Sequence, residues 1–272
     1  YYLDGARDGY RMGHGQLVDG MLHDGLWDVV NDYHMGYTAE LVAEKYSVSR
    51  EEMDEVALRS HNAAEKATAE GYFKDQIVPV EVPQRKKPPI IFDKDEHFRP
   101  GLTLADLQKL SPAFVPKGGK VTAGNSSGLN DGSAGMIIMS EDNAKDLGLT
   151  PLAKIKAVGR GGCHPSVMGI SPVPAVNNLL DRSQLKIDDF DLIELNEAFA
   201  AQYLGCEKEL NLNREITNVN GSGIGLGHPV GATGARLVIT LMYELARRKQ
   251  TLGLATLCGG GGVSMACAIE MI

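Results

Sequence analysis

The sequence predicts a layered α/β fold whose second half contains a mixed, mainly parallel sheet. From residue 154 onward, short apolar segments alternate with amphipathic ones, which is typical of strands joined by crossover helices. At 272 residues with 43% hydrophobic content, the chain is also long enough for a large core. We therefore expect two domains, of which the second is the more regular.

The first half of the chain contains fewer regular elements. Its opening, residues 1–32, is rich in glycine and aspartate, and we expect irregular loop with a short helix near 18–22. Ser49 followed by Glu52 is the capping-box pattern that begins a helix, here predicted to run to residue 70. The remaining predictions are a helix over 38–46, a strand over 77–82, an exposed turn over 85–89, a helix over 104–110 and a buried strand over 132–139.

The second half is predicted to alternate between strands and helices. The final two strands are apolar, and a glycine run joins them as an antiparallel edge pair. The predicted strands cover 154–158, 191–195, 216–219, 253–257 and 264–271, and the predicted helices cover 173–180, 198–210 and 235–248.

Composition excludes several classes of protein. The 27 basic and 35 acidic residues give a net charge of −8, which disfavours a nucleic-acid or anionic-membrane partner. No apolar run is long enough to span a bilayer, and no secretory signal pattern opens the chain. The four cysteines show no zinc-binding spacing, so we expect no metal and a reducing compartment, which is the cytoplasm or, as the alternative, an organelle.

Two glycine-rich motifs near the end of the chain carry the strongest chemical signal. His228 lies in a glycine-framed turn before an apolar helix, and Cys258 precedes four glycines that expose backbone N–H groups. A base, a thiol and an oxyanion pocket would result. The alternatives are a helix-entry role for His228 and a small buried side chain for Cys258. A dinucleotide site is disfavoured because residues 218–227 contain no Gly-x-Gly-x-x-Gly.

Asn196 lies where a predicted strand becomes a helix, which is a usual place for site residues in open α/β sheets. Its alternative role is that of an ordinary helix N-cap. With the two glycine-rich motifs, this asparagine completes a set of three polar segments in the second half of the chain.

Together these segments resemble the thiolase family, which condenses or cleaves acyl groups carried on coenzyme A (CoA). The family's three C-terminal signatures occur here in the family's order, as Asn196-Glu197-Ala198-Phe199, Gly227-His228-Pro229 and Cys258 with Gly260 and Gly261. Tyr33-His34-Met35-Gly36 is similar to the short-chain, biosynthetic acetyl-CoA acetyltransferases. The resemblance extends over the whole chain through Asp24-Gly25-Leu26, Thr122 to Gly128 and Asn130-Asp131-Gly132.

The resemblance implies a thiolase-like layered fold with three parts. Residues 1–129 would form a CoA-binding loop domain, 130–142 the last strand of the N-terminal domain, and 143–272 the C-terminal domain. The family carries its nucleophilic cysteine in an Asn-x-x-Cys-x-Ser-Gly motif of the N-terminal domain, and none of the four cysteines here has that setting. We therefore expect a missing N-terminal segment as a partner and an inactive chain without it.

By the same resemblance, four residues would act in the condensation of two acetyl-CoA molecules to acetoacetyl-CoA and in the reverse thiolysis. His228 would take the proton of the missing nucleophile, and Cys258 would remove a proton from the second acetyl group. Asn196 with His228 would bind the enolate oxygen, and the Gly260 N–H would serve the tetrahedral intermediate.

The resemblance also implies a CoA site, with CoA thioesters as substrates and no cofactor. Ser127 and His34 would lie near the pantetheine, and Arg99 near the adenosine phosphates. The channel would be shaped by Leu26, Met35, Phe114 and Phe199. Core packing is the alternative for Leu26, Phe114 and Phe199, and an exposed loop position is the alternative for Arg99.

Three other functions stay open. A longer-chain 3-ketoacyl-CoA thiolase is disfavoured by Met35, whose side chain would narrow the acyl pocket, and a ketoacyl synthase would have histidine in place of Cys258. A non-catalytic CoA-binding or assembly module belongs to a different class. The family resemblance further predicts a homo-oligomer, of the homotetramer type.

Overall fold

A computed structural model describes all 272 residues. No helix in it combines the length and apolar character needed to cross a membrane. The strands are β1 (Tyr2–Leu3), β2 (Leu17–Val18), β3 (Trp27–Asp28), β4 (Tyr33–His34), β5 (Val80–Gln84), β6 (Lys87–Phe92), β7 (Ala153–Gly162), β8 (Leu192–Leu195), β9 (Leu252–Cys258) and β10 (Val263–Met271). The helices are α1 (Met35–Lys45), α2 (Arg50–Ala69), α3 (Leu104–Gln108), α4 (Glu141–Asp146), α5 (Pro172–Ser183), α6 (Ala200–Leu210), α7 (Gly223–Leu226) and α8 (Thr233–Arg248).

The main sheet has four strands in the order β7-β10-β9-β8. β10 is antiparallel to both β7 and β9, whereas β8 and β9 are parallel. The α/β class and the mixed sheet are thus confirmed. The prediction of a mainly parallel sheet is wrong, because two of the three strand pairings are antiparallel and the segment near 217 adds only one parallel bridge, from Ile193 to Thr217.

Asn218 explains why no fifth strand forms beside β8. Its backbone takes a left-handed φ of 50°, which ends the extended conformation after a single bridge. Its side chain makes the hydrogen bonds that a fifth strand would otherwise make to β8: Oδ1 accepts from the Leu195 N–H (2.9 Å), and Nδ2 donates to the Leu195 carbonyl (2.7 Å). The edge of β8 is therefore closed by an amide side chain.

Strands β8 and β9 are buried on both faces of the sheet, whereas β7 is largely exposed. α5 packs on one face and α8 on the other, so successive residues of a strand enter different cores. Leu254 contributes to the larger core of 33 residues, and its neighbour Ala255 contributes to a smaller core with Leu237, Leu241 and Leu245 of α8. This two-sided burial explains why these strands are continuous apolar runs in the sequence.

The buried carboxylate of Asp54 on α2 pairs with an arginine of the same helix and binds the 122–128 segment. The predicted capping box at Ser49 and Glu52 is present and begins this helix. One turn on, Asp54 binds Arg50 Nε at 2.7 Å and accepts from Asn125 Nδ2 at 2.8 Å. Because Asp54 is fully buried, these bonds compensate for its lost hydration and fix the segment that carries Ser127.

Several predictions in the first half are wrong. Residues 132–139 form no strand: they pair with no other segment, and Ile137 is 87% exposed, because this chain places no strand beside them. The helix near 18–22 is replaced by the short strand β2 and a single helical turn over Leu22–Leu26. The exposed turn predicted over 85–89 is present at the tip of the β5–β6 hairpin but is shorter, because β6 begins at Lys87 and includes Pro88 and Pro89 at an exposed edge.

The centre of β9 should be sensitive to truncation. Leu254 is fully buried, so Leu254→Ala should lower the free energy of unfolding by about 2–5 kcal/mol, from lost burial and a residual cavity. Ile155→Ala on β7 is the control, because that side chain is 47% exposed and should cost about 1 kcal/mol or less. Urea denaturation followed by circular dichroism measures both. Equal losses would contradict the two-sided core.

Candidate active site

The parallel pair β8 and β9 brings two of the predicted site residues to one edge of the sheet. Leu195 lies opposite Thr256, and the N–H of Asn196 donates to the Thr256 carbonyl at 3.0 Å. Cys258 ends β9 two residues later. Parallel strands end at the same edge, so Asn196 and Cys258 both lie at its carboxyl end.

His228 reaches this edge from the turn between α7 and α8. Gly227 before it has a φ of 94°, which favours glycine. Asn196 Nδ2 lies 3.3 Å from His228 Nε2, and Thr233 Oγ1 lies 2.7 Å from Nδ1. The Thr233 hydroxyl donates its one proton to the Pro229 carbonyl at 3.0 Å, so it accepts from Nδ1.

The hydrogen bonds around the ring assign the tautomer of His228. The ring proton resides on Nδ1, and Nε2 is left as an unprotonated acceptor that faces the Asn196 amide. Burial of the ring, with a smaller contribution from the Arg236 charge, lowers the His228 pKa to about 4. The imidazole is therefore neutral at neutral pH and offers Nε2 as a base.

The glycine run after Cys258 forms a tight turn with free backbone donors. Gly259 N–H donates to the Val263 carbonyl at 2.8 Å, and Gly261 and Gly262 have φ angles of 79° and 88°. The N–H of Gly260 donates to no acceptor in the protein. Cys258 itself is buried, and burial raises the pKa of its thiol to about 12, so the thiol is protonated at neutral pH.

His228 lines a cleft, and the glycine turn lies next to a loop on the cleft wall. The cleft has a volume of about 510 Å³, and its lining includes His228, Leu26, Leu129 and Asn130. Gly25 lines it as well, and a Cβ built on Gly260 would lie 4.0 Å from the Gly25 carbonyl oxygen. The loop that carries Leu26 therefore bridges the two motifs.

Four more of the predicted CoA-channel residues form a contiguous apolar wall. The His34 and Phe114 rings stack with centroids 4.8 Å apart, and Phe199 meets Phe114 edge-on at 6.4 Å. Met35 is buried, and its Sδ would lie 3.7 Å from a Cβ at Gly260. The wall thus leads from the aromatic stack to the glycine turn.

Ser127 lies beside this wall, whereas Arg99 does not. The N–H of Ser127 donates to the Ala198 carbonyl at 3.0 Å, next to Phe199. Arg99 is exposed, and its N–H donates to His61 Nδ1 on α2 at 3.3 Å. Arg99 is not among the residues that line the cleft.

A buried carboxyl group next to Asn196 has a role that the sequence patterns did not predict. Glu197 is fully buried, accepts from Ser60 Oγ at 2.5 Å and from Asn218 Nδ2 at 2.9 Å, and burial raises its pKa. Ser60 Oγ in turn accepts from the N–H groups of Ser222 and Gly225. The available signal was the acidic residue directly after Asn196 at the end of an apolar strand.

Comparison with protein-family models identifies the family of the chain. The model of the thiolase N-terminal domain matches residues 1–142, and the model of the thiolase C-terminal domain matches residues 149–271. The chain belongs to the thiolase family. As a thiolase it is an acyltransferase, and the predicted resemblance is confirmed.

Curated thiolase relatives and solved thiolase structures cover nearly the whole chain. The acetyl-CoA acetyltransferases of Cupriavidus necator and Chromobacterium violaceum are 51% and 52% identical over 270 residues, which is 99% of this chain and 68% and 69% of those proteins. The crystal structure of the Bacillus anthracis acetyl-CoA acetyltransferase matches with a TM-score of 0.96 at 51% identity, over 100% of this chain and 68% of that one. Human mitochondrial 3-ketoacyl-CoA thiolase in complex with CoA matches with a TM-score of 0.91 at 40% identity, over 100% and 67%.

The hydroxyl of Thr233 should control the tautomer of His228. Thr233→Val removes the acceptor of the Nδ1 proton, so the ring should shift toward the tautomer protonated on Nε2. Nitrogen NMR of the histidine-labelled thiolase at pH 7 measures the two forms directly.

Thr240→Val is the matched control for this substitution, because Thr240 is a buried threonine of α8 that binds Gln76 instead. An unchanged His228 tautomer in Thr233→Val, or an equal change in the control, would contradict the assignment.

Proposed function

We propose that this chain provides the base, the proton-transfer thiol and the CoA-binding loops of an acetyl-CoA acetyltransferase. The observation that carries the proposal is the hydrogen-bonded series Asn196–His228–Thr233 at the edge where Cys258 and its glycine turn also lie. The relatives named acetyl-CoA acetyltransferases, about half identical over nearly the whole chain, support the same reaction.

In the first half-reaction, a cysteine thiol attacks the carbonyl carbon of acetyl-CoA. His228 takes the thiol proton on Nε2, because Thr233 already holds the proton on Nδ1. The resulting Nε2–H then donates to the thioester oxygen and afterwards protonates the departing CoA thiolate. An acetyl-enzyme thioester and free CoA result.

In the second half-reaction, Nε2 of His228 takes the proton of the Cys258 thiol, and the resulting thiolate removes a methyl proton from a second acetyl-CoA. The enolate oxygen is stabilised by Nε2–H of His228 and by the Asn196 amide, which Nε2 already contacts. The carbanion attacks the acetyl-enzyme carbon, and the Gly260 N–H binds the oxyanion of the tetrahedral intermediate. Collapse releases acetoacetyl-CoA and the nucleophilic thiolate, which takes the proton back from Nε2–H of His228.

The nucleophilic cysteine lies outside these 272 residues in this proposal. Cys206 is buried inside α6, Cys267 lies within β10, and the Cys163 thiol donates to the Val167 carbonyl at 3.3 Å. None of the four cysteines lines the cleft, and Cys258, which lies at the same sheet edge as Asn196, is assigned to proton transfer. The chain spans about two thirds of the length of its relatives, so a further polypeptide segment is the expected source.

Acetyl-sized substrates suit the wall beside the glycine turn. Met35 is buried there against Gly260, so its side chain limits the length of an acyl group in front of Cys258. A longer-chain thiolase would need this space. His34, Ser127, Phe114 and Phe199 would then contact the pantetheine, and Leu26 would contact the substrate from the cleft.

The adenosine end of CoA would lie outside the cleft. Arg99 would bind the adenosine phosphates only if CoA extends beyond the cleft, because the Arg99 side chain is exposed. The division into residues 1–129, 130–142 and 143–272 and the assembly into a homo-oligomer stay predictions.

The position of the nucleophile is tested by denaturing intact-mass spectrometry after incubation with acetyl-CoA. This chain is expected to remain unacetylated, because Cys258 is a buried thiol with a raised pKa. A copurifying smaller polypeptide should carry the acetyl group instead. Acetylation of this chain that Cys258→Ala abolishes would show that Cys258 is the nucleophile and would contradict the proposal.

The two assigned roles should separate when the nucleophile is present. Cys258→Ser should reduce condensation about a hundredfold or more while acetyl-enzyme still forms, because only the second half-reaction uses this thiol. His228→Ala should slow both half-reactions. Cys267→Ser is the control and should keep normal turnover. Unchanged condensation in Cys258→Ser would contradict the role of the thiol. A His228→Ala variant that is less stable but catalyses both half-reactions at normal rates would contradict the role of the histidine.

A further inference from the structure

A second histidine lies behind His228 and contacts it through one amide side chain. His97 is in the loop between β6 and α3, and Asn130 lies between the two histidines. Asn130 Oδ1 accepts from the backbone N–H of His228 at 3.1 Å, and Asn130 Nδ2 lies 3.3 Å from His97 Nδ1. Since the amide oxygen is used by His228, the amide N–H faces His97, whose Nδ1 must be unprotonated.

Steric contacts hold this relay in one arrangement. A Cβ on Gly227 would lie 2.6 Å from Asn130 Oδ1, and a Cβ on Gly128 would lie 2.3 Å from His97 Cε1. Both positions therefore accept only glycine without movement of the side chains they contact. Leu129 also forms a backbone bridge with His228. The three chain segments are thus fixed against one another around the amide.

The surroundings of His97 keep its acceptor nitrogen available. Its ring stacks on the His61 ring of α2 with centroids 6.1 Å apart, and the charged groups that face it are Arg99 and Asp95. Burial and Arg99 lower the pKa of His97, whereas Asp95 and the Ile224 carbonyl raise it, and the net direction is down. Protonation at Nδ1 would place two donors against each other and break the bond to Asn130.

We propose that His97 is a positioning residue that fixes the backbone of His228 through Asn130. The hydrogen-bond relay stands on its own geometry, and only its consequence for catalysis rests on the proposed function of His228. An acceptor at the position of His97 Nδ1 orients the amide. The oriented amide accepts from the His228 N–H and so fixes the backbone of His228. The backbone position in turn sets the direction from which the imidazole approaches Asn196.

Hydrogen exchange of the His228 backbone amide tests the relay without any need for activity. His97→Phe keeps the ring shape and loses the acceptor, so exchange at His228 should rise about fivefold to tenfold while Leu241 in α8 is unchanged. His97→Asn places an oxygen near the lost nitrogen and should restore protection. His61→Phe is the matched control, because His61 stacks on His97 but contacts neither Asn130 nor His228.

Asn130→Asp provides a second test that does not depend on how well His97→Phe folds. The carboxylate still accepts from His228, but it now favours a proton on His97 Nδ1, so the pKa of His97 should rise above its wild-type value. A histidine NMR titration measures this. Unchanged exchange in His97→Phe, or an unchanged His97 pKa in Asn130→Asp, would overturn the proposal.

The pH dependence and the kinetics complete the test on the same samples. In the wild type, His228 protection relative to Leu241 should be lost as pH falls through the pKa of His97, and His97→Asn should lack this step. With the nucleophile present, His97→Phe should lower kcat and leave KM nearly unchanged. A wild type without turnover would count against the proposed function, whereas the exchange data would still decide the role of His97.

Discussion

The fully buried carboxylate of Glu197 connects the elements on which the candidate site depends. A carboxyl group without water is costly to bury, so it requires close polar partners. Ser60 of α2, Asn218 and the N–H of Ile224 supply them, and Ser60 also accepts from the loop that leads to α7. This network joins β8, α2 and α7, and it lies directly between Asn196 and the turn that carries His228.

Burial also decides the protonation states at the edge of the sheet. Desolvation disfavours charge, and it acts in opposite directions on the two key groups, lowering the pKa of His228 to about 4 and raising that of Cys258 to about 12. The resting site is therefore neutral at both positions. Charge develops only when a proton moves between substrate, nucleophile and these side chains, where Asn196 and the free N–H of Gly260 are already in place.

The sequence patterns correctly predicted those helices and strands whose formation depends on residues close to one another in the chain. The capping box at Ser49 is present, and, apart from the strand predicted over 216–219, the predicted helices and strands of the second half lie within a few residues of their predicted bounds. The strand predicted over 132–139 is absent because it depends on distant partners: an apolar β-like segment becomes a strand only where another strand pairs with it. The strand predicted near 217 is absent because the Asn218 side chain occupies the backbone N–H and carbonyl of Leu195, with which such a strand would pair.

The sequence by itself determined the α/β class, the thiolase family and the three polar segments around Asn196, His228 and Cys258, since each rests on residues adjacent in the chain. Only the tertiary structure decided which distant partners complete them. Thr233 orients the His228 ring, Asn130 holds its backbone, and Glu197 ties the strand edge to α2. Such contacts depend on how the segments pack, and no spacing within one segment specifies them.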